Sequence, residues 1–95
     1  MTPMADSLHQ FLMDVAAEVT RARHLFPSNQ DQLAAFSEEA GEVAKAFIDY
    51  RNDDETAEGL MIECIQAAAM AARLALEGDA SFPYQPRHAD MEEKD

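Results

Sequence analysis

The chain has 95 residues, 19 of them acidic and 7 basic, for a formal net charge of −12. A surface this negative repels nucleic-acid backbones and anionic lipid, which argues against duplex binding and membrane docking, and it attracts cations. With 47% hydrophobic and 27% charged residues the composition is globular, and the length predicts one small domain that gains core by self-association.

A single cysteine, Cys64, excludes an internal disulfide framework and fits a reducing cytoplasm, where it is expected to be an inert packing residue. No basic stretch followed by an apolar one opens the chain, so secretion is not expected. The longest uncharged run, residues 64–72, is too short to span a bilayer.

Periodicity predicts three helices and an all-α fold. The first runs from about Asp6 to Leu25, with Leu8, Phe11, Leu12, Val15, Val19 and Ala22 as its apolar stripe and Asp6 or Ser7 as N-cap. Phe26-Pro27-Ser28-Asn29 breaks the pattern, since the residue before proline avoids the helical basin, and Ser28 or Asn29 is placed to cap the second helix. That helix spans about Gln30 to Arg51, with Leu33, Phe36, Ala40, Val43 and Phe47 as its core face. Gly41 inside it costs about 1 kcal/mol relative to alanine, which implies a close neighbour that needs the space. Arg51-Asn52-Asp53-Asp54 forms the next turn, with Asp53 or Asp54 as cap.

The third helix spans about Glu55 to Leu76 and ends at Gly78 as its C′ residue. It is apolar on nearly every side, which marks a central, buried helix. Two neighbours cannot cover so many apolar sides, so the three-helix chain is expected to form at least a dimer. Residues 1–79 form the domain. Residues 80–95, with Pro83, Pro86 and the run Met91-Glu92-Glu93-Lys94-Asp95, read as an extended arm fading into a charged tail.

The chemistry lies in SEEAGEVAKAF, residues 37–47, and in Glu63 of the third helix. With Phe36 as the centre of the second helix's stripe and 100° per residue, Glu39 falls about 60° to one side and Glu42 about 120° to the same side. Both carboxylates ride one margin of the buried face, a turn apart. Glu38 lies nearly opposite the stripe, where a solvated side chain is the ordinary reading. Glu63 and Gln66, three apart, share a face among Leu60, Met61, Ile62, Ile65 and Met70. A carboxylate buried without a partner costs several kcal/mol or takes up a proton. A basic side chain, a protonated carboxyl or a bound cation would offset that cost. Basic residues are scarce: Lys45 lies about 120° from Glu39, beyond Glu42, and Arg73 is nearly three turns beyond Glu63. Clustered carboxyl and amide oxygens from two helices suit a hard divalent ion such as Mg2+, with Mn2+ as a substitute. No Glu-x-x-His pair occurs, which disfavours a ferritin-like di-iron site.

The stretch Glu38-Glu39-Ala40-Gly41-Glu42, followed after 20 residues by Glu63-Cys64-Ile65-Gln66 in an alanine-rich helix, resembles the MazG-like all-α NTP pyrophosphatases. Their pattern is Glu-Glu-x-x-Glu, a variable spacer, then Glu-x-x-Asp, and the similarity covers roughly His24 to Asp79. The resemblance implies an all-α homodimer or homotetramer (dimer or dimer of dimers) that completes the three helices into four-helix-type bundles, a hydrolase that uses Mg2+ to cut a nucleoside triphosphate into the monophosphate and pyrophosphate. Carried over by position, Glu39, Glu42, Glu63 and Gln66 are the implied metal ligands, with Glu38 and Glu39 as the catalytic pair and Glu38 as an auxiliary ligand or a base orienting the attacking water. Substrate contacts are expected from His24, Phe26 and Asn29 before the second helix, with Gln32, and from Lys45; for Phe26 a staple of the helix junction is the more ordinary role. Gln66 departs from the pattern, which has Asp at that place; a carboxamide still coordinates a hard ion but brings no charge. That substitution supports the alternative of a weak or inactive helical dimer of the same fold that binds nucleotide or a protein partner. A purely structural acidic module is the third reading.

Overall fold

Residues 3–82 are described in the computed structural model, and among them all regular structure is helical. Helix α1 is Pro3–Leu25, α2 is Gln32–Arg51 and α3 is Ala57–Glu77. The arm and tail expected over residues 80–95 fall outside the described residues from 83 onward.

Each boundary has a local cause. Helix α1 carries Arg23 and His24 in its last turn, where they face the negative end of the helix dipole, and Pro27 comes two residues after its end. Helix α2 begins after Asp31, whose backbone is left-handed (φ 60°) and whose own side chain caps nothing. Neither Ser28 nor Asn29 caps it either. The Ser28 hydroxyl accepts the Gln30 backbone N–H at 3.1 Å, and the Asn29 amide donates to the Glu77 carbonyl at 2.9 Å. The cap comes from far along the chain: the Asp79 carboxylate accepts from the backbone N–H of Asp31 (3.1 Å) and of Leu33 (2.7 Å). Helix α3 is capped by Thr56, two residues beyond the expected Asp54, with its hydroxyl accepting the Gly59 N–H at 2.9 Å. It ends at Gly78, whose φ of 72° suits a residue without a Cβ, and whose N–H returns to the Leu74 carbonyl.

Helix α3 is the middle element, as its apolar composition predicts, and packs against both α1 and α2, which hardly meet each other; it is not the buried helix expected, since Met61, Ile62 and Leu76 are exposed. By length and composition alone α3 is apolar enough to cross a bilayer, with a mean hydropathy of 1.4 over its best window. In the fold its inward face carries small side chains and one arginine: Ala69 and Arg73 are its buried residues.

The rotation of α2 differs from expectation. Its buried residues are Gln32 and Ala46, with Ala35, Phe36, Glu39 and Val43 half-buried between them. This inward arc is centred near Glu39, about 60° round from Phe36. Leu33, Ala40 and Phe47 were expected in the core; all three are exposed, Phe47 at 58%. The reason is that α2 docks on α3 along one margin only, and nothing among the described residues covers the other side of the stripe. The same holds for α1, where Val19 and Ala22 are buried and Leu8 and Leu12 are exposed. Nor does Gly41 make room for a neighbour, because a Cβ built there meets no atom within 4 Å.

Two polar ties fix the ends. Arg73, only 2% exposed, donates to the Glu77 carboxylate and to the Phe26 carbonyl at 2.9 Å, holding the α1–α2 connection against α3. Glu77 also takes Arg23 at 2.6 Å. Burial pushes the Glu77 carboxyl up, but the two guanidinium groups outweigh it and hold it below the usual carboxylate range.

Candidate metal centre and adjoining cleft

Because the inward arc of α2 centres on Glu39, that carboxylate faces α3 rather than the margin of a greasy stripe. Glu42 lies one turn on, at the edge of the same arc, and Glu63 meets them from α3. Carboxylate oxygens of Glu39, Glu42 and Glu63 all lie within 4.8 Å of one another. Glu39 and Glu63 are half-buried and Glu42 is exposed. One oxygen on each of Glu39 and Glu63, Oε2, is shut off from solvent and has no hydrogen-bond partner.

Burial, followed by the charge of Glu42, pushes the Glu63 carboxyl above its ordinary value. Glu39 is pushed up for the same two reasons, with further contributions from Glu63 and Glu38. The ion pairs of the described residues are Arg21–Glu18, Arg23–Glu77, Lys45–Asp49 and Arg73–Glu77, and none reaches this cluster. Of the three ways to offset three converging acids, a basic partner is therefore absent among the described residues. A shared proton or a cation remains. Two orphaned, inward oxygens and a third carboxylate, drawn from two helices, are a donor set that fits a hard divalent ion.

Beside the cluster, α1 and α2 diverge over α3 and leave a cleft of about 400 Å³. Its lining includes Glu38, Glu39 and Gln66 together with Phe26 and Ser28, with Ala35 and Met70 as apolar surface. Glu39 thus belongs to both the cluster and the cleft. Glu38 is exposed but turned to the cleft, a place its position opposite the apolar stripe did not suggest, because the arc it borders is rotated. Gln66 is half-buried and also faces the cleft.

The expected substrate contacts divide. Gln32 lines the cleft, almost fully buried. His24 is exposed in the last turn of α1, Asn29 is tied to the Glu77 carbonyl, and Lys45 is exposed and paired with Asp49 at 2.7 Å. These three stand apart from the cleft walls and from the carboxylate cluster. Sequence reasoning passed over Glu18, Arg21 and Arg73, which line the cleft. Arg73 did carry a signal, being the one basic residue inside the apolar α3 and four positions before Glu77. No family model matches this chain, and no curated protein or solved structure matches it.

Proposed function

We propose that the chain is a Mg2+-dependent nucleoside triphosphate pyrophosphohydrolase of the MazG-like kind, yielding the monophosphate and pyrophosphate. The observation that carries this reading is the convergence of Glu39, Glu42 and Glu63 within 4.8 Å, with two buried oxygens unpartnered. Those three side chains would hold the ion, and the Gln66 carboxamide, one turn past Glu63, would serve as a neutral ligand. A bound divalent ion neutralises phosphate oxygens and lowers the pKa of water, both of which favour attack at phosphorus.

The chain's own contribution is orientation and proton handling. Glu38, adjacent to Glu39 and lining the cleft, would align a water and accept its proton. As the water oxygen bonds to phosphorus, the bond between that phosphorus and the oxygen bridging the α- and β-phosphates breaks, and pyrophosphate separates from the monophosphate. A −12 surface repels a triphosphate, so the cation also serves as its escort.

The same reading has the protein acting in the cytoplasm as a homodimer or homotetramer. The exposed Leu33, Phe47, Leu8 and Leu12 support self-association. Gln66, uncharged and turned to the cleft, favours a second reading: a weak or inactive protein of this fold that binds nucleotide or a protein partner. A panel of canonical and modified nucleoside triphosphates with Mg2+ or Mn2+, scored for pyrophosphate release, separates the two. Release from any member supports hydrolysis; none across the panel leaves the binding reading.

A further inference from the structure

Gln32 and Arg73 are two of the three buried polar side chains among the described residues, at 3% and 2% exposure, and both line the cleft. Their polar atoms are only partly engaged. Arg73 commits Nε to Glu77, and Nη2 to Glu77 and to the carbonyls of Phe26 and Ser28. Its Nη1 makes no hydrogen bond among the described residues, yet it is not one of the polar atoms sealed from solvent. Gln32 donates through Nε2 to the carbonyls of Arg73 (3.3 Å) and Gly78 (3.0 Å), which fixes the sense of its amide. Oε1 is left as an acceptor with no donor among the described residues, and it too is not sealed.

A donor and an acceptor that solvent still reaches, carried on two buried and rigidly held side chains, suit a ligand with the complementary pair. The net charge of the walls decides what kind. Glu18, Asp31, Glu38 and Glu39 outnumber Arg21 and Arg73, so a phosphate is disfavoured and a neutral group is favoured. Ala35, Met70 and Phe26 supply apolar surface for a flat ring, and about 400 Å³ is sufficient for a nucleoside. Since Glu39 belongs to both sites, one molecule can place its anionic end at the carboxylate cluster and its neutral end in the cleft.

We infer that this cleft receives the base of the nucleotide, with Arg73 Nη1 donating to it and Gln32 Oε1 accepting from it. The inference rests on the pyrophosphohydrolase reading and adds where, and by which atoms, the base is recognised. Truncating Arg73 or Gln32 would also release the α1–α2 connection and the end of α3, so the test fills the cleft instead. The full chain, labelled with 15N, is titrated with adenosine, guanosine, cytidine, uridine and thymidine without divalent cation. At least one nucleoside should shift the amides of Ala35, Gln66 and Met70 saturably. Ala35→Phe should weaken that binding at least tenfold while leaving the Mg2+-induced shifts at Glu39 and Glu63 in place. Nucleosides that leave the cleft amides unmoved, or that bind Ala35→Phe equally well, overturn the inference. Pyrophosphate release indifferent to the base and to Ala35→Phe overturns it while the enzyme reading stands. Saturable nucleoside binding at the cleft with no pyrophosphate release from any triphosphate supports it and removes the enzyme reading.

Discussion

Asp79 lies 46 residues beyond Leu33, yet its carboxylate accepts the Leu33 backbone N–H at 2.7 Å and so caps the start of α2. It also accepts from Asp31 and Ser81, and the Ser81 hydroxyl returns to Asp31 at 2.8 Å. The segment after α3 is thereby clamped to the head of the helix that carries Glu38, Glu39 and Glu42.

Loss of that clamp should be visible in stability. The bond from Leu33, ahead of those from Ser81 and Asp31, holds the Asp79 carboxyl below its ordinary value despite burial. A carboxyl depressed in the fold stabilises the protein above its unfolded pKa of about 4 and loses that contribution as pH falls through the lower folded value. Asp79→Ala should therefore melt roughly 4–8 °C below the parent at pH 7, the loss expected of a helix cap in a small domain. The gap should close as both proteins are acidified below about pH 4. Scanning calorimetry at a series of pH values reads both effects, and a pH-independent gap would show that the carboxylate's charge is not what caps α2.

The opposite sign holds at the carboxylate cluster. Glu39 and Glu63 are raised, foremost by burial and then by Glu42. Groups raised in the fold stabilise it fully only when protonated, below about pH 4.5, and that stability is lost as pH rises through the folded values. Without divalent cation, Glu63→Gln should melt several degrees above the parent at pH 7 and nearly with it at pH 4. Millimolar Mg2+ should then raise the parent's melting temperature and barely move the variant's. Equal Mg2+ shifts in the two proteins would remove Glu63 from the ligand set.

Local signals made part of this fold legible in the sequence, and long-range docking hid the rest. Helix existence and the end of α3 at Gly78 could be read because apolar period and a left-handed glycine are set within a few residues. The convergence of Glu39, Glu42 and Glu63 was also legible, since two of them share a helix margin and the third sits alone in an apolar helix. The caps of α2 and the facing of Glu38 were not. Asp79 acts across 46 residues, and the rotation of α2 was decided by docking on α3, not by its most hydrophobic stripe. Arg73 escaped notice as a tie because its partners include the Phe26 and Ser28 carbonyls, which carry no sequence signature.

Gly41 offers a clean check on that rotation. The open space around it means that Gly41→Ala adds helix propensity without a clash, for a gain of about 1 kcal/mol. Urea unfolding should show a higher midpoint at unchanged slope. A destabilised variant would mean that another surface approaches Gly41 closely in the assembled protein.

The Gln66 position separates the two functional readings. It lines the cleft beside Glu39, where a carboxylate would add charge to the ligand set and a carboxamide does not. Gln66→Asp should leave pyrophosphate release equal or higher, with the Mg2+ concentration for half-maximal rate reduced several-fold. A marked loss of release at saturating Mg2+ would show that the amide itself is needed, and the ligand assignment would fall.

Self-association is expected from the side of α2 that α3 does not cover. Phe47 at 58% exposure, with Leu33 and Ile48 also exposed, leaves an apolar surface on a helix whose other face holds the acidic cluster. Coverage by a second copy would bury it, and a small chain with so thin a core needs that contribution. Light scattering should give twice the chain mass or more. Phe47→Glu places a charge in the middle of the surface and should shift the protein to the monomer with a lower melting temperature that no longer depends on concentration. A parent protein that is monomeric at high concentration, or a Phe47→Glu variant of unchanged mass, would show that this face is not the contact.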